Sequence, residues 1–137
     1  MNPILKNILA ALVTGIIIGS IVNIGLIMLG HVIIPPPEGM NPMDMESLKA
    51  HMPLFETKHF IAPFLAHALG TLVGAFTAAK IASNHQMKFA LGIGVWFLYG
   101  GASMVMDFPS PMWFNVLDLV GAYLPMAWIG WKLTEKK

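Results

Sequence analysis

Four long apolar stretches, at about 4–34, 59–82, 89–106 and 112–131, alternate with short polar breaks along the chain. Crossing a bilayer takes a helix of roughly 20 apolar residues, and each stretch is close to that length or beyond it. The pattern predicts an all-α integral membrane protein: a four-transmembrane-helix bundle forming one membrane domain over residues 1–137, with an outer loop at 35–58. The first stretch, at 1.5 Å per residue, would be about 45 Å long against a hydrocarbon core of about 30 Å, so it must tilt or project.

Within two of the stretches the small and polar residues are periodic. In the second, His59, Pro63, His67, Gly70, Gly74 and Ala78 recur at steps of four or three and share one helical face, while Phe64, Leu65, Leu72 and Phe76 form the other. That division predicts a crowded inner side and a lipid-facing outer side. In the first, Gly15, Gly19 and Asn23 fall four apart and Gly30 joins them two turns on. Such faces let another backbone approach closely, so Gly15, Gly19, Gly70 and Gly74 are expected to pack helices together, within the chain or in a homo-oligomer.

The breaks carry their own signals. Pro35, Pro36 and Pro37 must end the first helix. Asn41-Pro42, with Asp44 and Glu46 after it and Lys49 and His51 further on, reads as a short capped helix with Met45, Leu48 and Met52 as its apolar stripe. An extracytoplasmic amphipathic helix of this kind would lie on the membrane surface and partly cover the mouth of the bundle. In the fourth stretch Pro125 predicts a kink, and Trp113, Trp128 and Trp131 read as interfacial anchors.

Composition agrees with a membrane setting. Hydrophobic residues make up 56% and charged residues 11% of the chain, against about 25% charged in soluble domains. A net charge of +1 argues against nucleic acid as a partner and leaves membrane lipids and a small molecule or ion. The absence of cysteine removes thiolate metal sites, disulfides and cysteine nucleophiles. All eight basic residues are lysines, and a four-span arrangement puts Lys6, Lys80, Lys88, Lys132, Lys136 and Lys137 on one side and Lys49 and Lys58 on the other. Both termini are therefore expected to be cytoplasmic, with the first span retained as a signal anchor.

Charged groups are costly inside hydrocarbon and so tend to mark function. Two ionisable residues lie well inside the spans, His67 at a depth of about 12 Å and Asp118 at about 9 Å from the same side, by the helical rise. Asn23, Tyr99, Ser103 and Asn115 fall at nearby depths and complete a candidate ligand- or ion-binding site. A buried imidazole and carboxylate can tether two helices, hold a proton or substrate in a transporter, or act as a general base. Against the last, Ser20, Ser103 and Ser110 sit in no G-x-S-x-G context. Met40, Met43, His31, His51 and His59 form a weak soft-metal set without a defined spacing, and a bis-histidine haem lacks a second buried histidine, so no cofactor is predicted. The leading expectation is binding or translocation of a small molecule or ion in the outer half of the bundle. The alternatives are a non-catalytic membrane component whose loop binds a lipid or partner protein and, third, a lipid- or quinone-directed enzyme.

Overall fold

The computed structural model describes residues 1–135; Lys136 and Lys137, which contribute to the lysine asymmetry, lie outside the described residues. Helix is the only regular structure among the described residues. Helix α1 (Pro3–Ile33) starts with Pro3 in its first turn, and the Asn2 side chain accepts a hydrogen bond from the Ile4 amide. Then follow α2 (Met45–His51), α3 (Ile61–Ile81), α4 (Gln86–Asp107), α5 (Met112–Gly121) and α6 (Leu124–Thr134). A short 3₁₀ turn, Thr57–Phe60, leads directly into α3. Four helical segments are long and apolar enough to cross a membrane: Pro3–Ile33, Thr57–Ile81, Gln86–Asp107 and Met112–Thr134.

The fourth segment is broken rather than kinked. Pro125 has no N–H to close onto the carbonyl four residues back and its ring would clash there, so α5 stops at Gly121 and α6 restarts with Pro125 in its first turn. Ala122 and Tyr123 form the joint.

Helix α3 is central, with α1 on one side and α4 and α6 on the other. Its buried residues are all small: Ala66, Ala68, Gly70, Thr71, Gly74, Ala75, Ala78 and Ala79. The expected lipid-facing side of this helix is corrected at Phe64, which packs against two buried clusters. Leu72 and Phe76 are partly exposed, and it is their backbone, the Leu72 carbonyl and the Phe76 amide, that lies against Gly130 of α6. Leu65 is the most exposed of the four named residues.

Glycines interlock α1 with α3. A Cβ on Gly19 would stand 2.7 Å from the Gly70 carbonyl and one on Gly70 2.9 Å from the Gly19 carbonyl; Gly15 and Gly74 repeat the arrangement at 2.8 and 2.7 Å. The partner of the first glycine face is thus α3 of the same chain, and these faces are not free to build an oligomer. At the end holding the N-terminus, Asn7 donates from Nδ2 to the Ile81 carbonyl (2.9 Å) and accepts from the Ser83 amide (2.9 Å), securing the end of α3.

At the opposite end, hereafter the loop end, Met52, Phe60, Phe108 and Phe114 form a buried cluster that Leu48, Phe55 and Phe64 adjoin. It fastens the long loop to α3, α4 and α5. The N-cap of α2 is Asp44, accepting from the Glu46 amide at 3.1 Å, and not Asn41, which instead makes its own turn by accepting from the Met43 amide at 3.0 Å. Of the expected stripe, Leu48 and Met52 face the cluster and Met45 is exposed.

Candidate functional site

Three side chains from three elements meet inside the bundle. His67 lies one turn and a half into α3, Asp118 lies on α5, and Tyr123 occupies the break before α6. His67 Nδ1 stands 2.8 Å from Asp118 Oδ1, and the Tyr123 hydroxyl donates to Asp118 Oδ2 at 3.0 Å. The His67 and Tyr123 rings stack at 5.8 Å with an interplanar angle of 25°. Asp118 is 3% exposed and Tyr123 2%. Each carboxylate oxygen has a donor, as buried polar groups require.

The carboxylate fixes the chemistry of the imidazole. An ionised carboxylate can only accept, so Nδ1 carries a proton and donates to it, and in the uncharged form of the ring the lone pair is then on Nε2. The His67 side chain is 24% exposed, and Nε2 has no hydrogen-bond partner among the described residues and is not sealed from its surroundings.

His67, whose Nε2 is the ring nitrogen not engaged with Asp118, lines a cavity of about 570 Å³ at the loop end. Its walls come from the C-terminal half of α1, the loop, the start of α3, the C-terminal half of α4, and α5. They are mainly apolar, including Phe55, Phe60, Phe97, Phe108, Phe114, Met40 and Met104, and His67, Asp118 and Tyr123 form the floor. Helices α1 and α4 touch below this floor, where a Cβ on Gly15 or Gly19 would meet Ile93 or Phe97 at 2.9 Å. Farther toward the loop end Ile27 of α1 and Gly100 and Met104 of α4 line the cavity, while Gly30 packs against Ala62 of α3 and Gly101 against Tyr123.

Among the residues expected at the site, His67 and Asp118 meet directly, and Asn23 and Asn115 line the cavity. Asn115 is held by Ser110, whose hydroxyl donates to its Oδ1 at 2.6 Å. Tyr99 and Ser103 do not belong: Tyr99 is 74% exposed, and Ser103 donates back to the Tyr99 carbonyl at 2.9 Å on the outer side of α4. Depth placed them correctly along the axis, but Gly100 and Gly101 are the residues of that turn that face inward.

Tyr123, the residue the sequence did not reveal, sits five positions after Asp118. In an unbroken helix that spacing turns a side chain about 140° away. The break brings it back, and Pro125 was the available signal.

The soft-metal set does not assemble. His59 uses both ring nitrogens, Nδ1 accepting from the Glu56 amide at 2.8 Å and Nε2 donating to the Pro35 carbonyl at 3.2 Å. His51 Nδ1 donates to the Ser47 carbonyl at 2.7 Å, and Met43 is fully in the open. His31 and Met40 line the cavity wall without a third ligand, and no group of three His, Asp or Glu residues with metal-binding geometry occurs among the described residues.

With the imidazole uncharged, the arrangement offers one nitrogen lone pair at the bottom of an apolar chamber. It can hold a hydrogen-bonding group or receive a proton; no side chain beside it is an activated nucleophile, Ser110 being engaged with Asn115. No protein family, curated protein or solved structure matches the chain.

Proposed function

We propose that the chain is an integral membrane protein with cytoplasmic termini that binds a small, largely apolar molecule in the loop-end cavity. The observation that carries this is the cavity itself: about 570 Å³ of space with apolar walls and the free Nε2 of His67 at its floor. Small-molecule sites are typically about 300–1,000 Å³, mainly apolar, with a few placed polar groups. A bare ion would need several converging oxygen or nitrogen ligands, and both Asp118 oxygens are already engaged. Binding is favoured over conduction because the opposite half of the bundle is closed, with Ala75, Ala78, Ala79, Ala90, Ile93 and Ala127 wholly inaccessible.

Orientation follows from the lysines. Lys6, Lys80, Lys88 and Lys132 stand at the end bearing the termini and Lys49 and Lys58 at the loop end, which by the positive-inside bias turns the cavity outward.

Binding is testable on the purified protein and orientation in intact cells. 4-Hexylphenol, an apolar body with one polar group, should raise the unfolding temperature; a ligand at one hundred times its Kd stabilises by about 2.7 kcal/mol. Gly100 lines the cavity and a Cβ there meets nothing within 4 Å, so Gly100→Phe should fold normally and lose the response. A full response in that variant would overturn the assignment. The natural chain has no cysteine, so Met43→Cys should react with an impermeant maleimide from outside and Asn84→Cys only after permeabilisation.

A further inference from the structure

We infer that the molecule bound here carries a proton-donating head group, a hydroxyl, phenol or carboxylic acid on an apolar body, and presents it to His67 Nε2. The inference rests on the cavity-binding reading and narrows it to a chemical class. Asp118 and Tyr123 decide the matter without touching the ligand. Tyr123 has one hydroxyl proton and gives it to Asp118 Oδ2; the other oxygen takes the proton of His67 Nδ1. With the carboxylate held in this way, the uncharged imidazole cannot move its proton to the cavity side without leaving Asp118 Oδ1 bare in an apolar interior, which is costly for a charged group. The floor of the cavity is therefore a hydrogen-bond acceptor.

An acceptor selects for donors. An ether, ester or ketone of the same shape would set its own lone pairs against that of Nε2 and strand both. A hydroxyl or phenol donates to Nε2 and keeps its proton. A carboxylic acid can go one step further: its O–H bond breaks, an Nε2–H bond forms, and the resulting carboxylate faces an imidazolium whose charge Asp118 balances across the ring. No redox partner is needed.

Of the other polar groups on the walls, which include His31 and Lys58 farther toward the loop, Asn23 supports a head group of this kind. Asn115 and Ser110 bond to each other, and His59 uses both nitrogens within the loop. Asn23 makes no side-chain hydrogen bond among the described residues and abuts α3 at Gly70, one turn beyond His67. Its amide can donate to a head-group oxygen that is donating to Nε2. Hydroxyl and carboxyl groups do both; an ether oxygen can only accept.

The test uses a matched pair, 4-hexylphenol and 4-hexylanisole, which differ by replacement of the phenolic proton with a methyl group. Affinities are read at pH 8 from the shift in unfolding temperature of the full chain in one detergent. The wild-type protein should bind the phenol about tenfold to a hundredfold more tightly, the range for a hydrogen bond gained against an acceptor left unpaired. That ratio should fall to near one in His67→Leu. It should also fall in Asp118→Asn, in which the amide keeps the ring in place but donates to Nδ1 and so moves the imidazole proton to Nε2. Equal binding of the two probes by the wild-type protein would overturn the proton-donor class and leave cavity binding standing. Binding of neither probe would overturn both. A ratio that persists in Asp118→Asn would show that selection comes from elsewhere on the wall and would also overturn the inference.

Discussion

The arrangement of His67, Asp118 and Tyr123 predicts an unusual order of damage among substitutions at one place. Asp118→Asn preserves shape. Tyr123 is 2% exposed and must give its proton to an acceptor, so the amide oxygen turns toward Tyr123 and the amide nitrogen donates to His67 Nδ1. Two charge-assisted hydrogen bonds, about 1.5–3 kcal/mol each, become two neutral ones of about 0.5–1.5 kcal/mol. Removing a charge from an apolar interior offsets that loss, and the net change should stay within about 1 kcal/mol. Asp118→Leu strands the Tyr123 hydroxyl and should cost about 1–3 kcal/mol. His67→Ala is the most damaging, because it leaves a carboxylate that is 3% exposed with Tyr123 as its one hydrogen-bond donor; leaving a buried charged group short of a donor costs more than the ~1–3 kcal/mol of a neutral one.

Equilibrium unfolding of the three variants in a common detergent measures the order directly. A double-mutant cycle on His67 and Asp118 should give a coupling near the upper end of values inside membranes, about 1–2 kcal/mol. The reasoning is refuted if Asp118→Asn proves as damaging as His67→Ala. That result would mean the negative charge itself holds the site, with His67 carrying a positive charge against it, and the floor of the cavity would then be a donor.

Other substitutions test the surrounding frame. Gly19→Ala should destabilise by about 1–3 kcal/mol through overpacking against the Gly70 carbonyl, whereas Gly25→Ala, whose Cβ meets nothing within 4 Å, should leave the unfolding temperature unchanged or slightly higher. In Gly101→Ala the new methyl would overlap the Tyr123 ring and hydroxyl, so the variant should resemble Tyr123→Phe in stability and near-ultraviolet circular dichroism. His59→Phe keeps a ring beside Phe55 but loses the bonds to Glu56 and Pro35; hydrogen exchange should quicken at amides 56–61, with about 1 kcal/mol lost locally, as for a missing helix cap.

Axial position was legible in the sequence and azimuth was not. Counting 1.5 Å per residue brought His67 and Asp118 to neighbouring depths, and the structure bonds them. The same count admitted Tyr99 and Ser103, which lie at the right level on the wrong side of α4. Hydropathy could not separate those sides, because lipid and protein interior are both apolar and a buried face need not be more hydrophobic than an exposed one. For that reason Phe64 on α3 was read as facing lipid when it packs against buried clusters at the loop end and beside Tyr123. Small residues carry the azimuthal signal instead: Gly15, Gly19, Gly70 and Gly74 marked a true contact, and only the identity of the partner had to come from coordinates.

The cavity follows from the same rule, applied where a match is lacking. Glycine on one helix draws its neighbour close only if the neighbour offers backbone or a fitting side chain opposite. Gly15 and Gly19 find Ile93 and Phe97 on α4; Gly100, farther along that helix, finds nothing within 4 Å. Helices α1 and α4 are therefore joined below the His67 floor and apart above it. The break at Ala122–Tyr123 then closes the bottom of the gap with a polar group that a continuous helix would have turned outward. A glycine without a counterpart and a proline that interrupts a span together place an accepting nitrogen at the foot of an apolar chamber, so filling the first with Gly100→Phe or disturbing the second through Gly101→Ala should disable the site by separable routes, one by volume and the other by geometry.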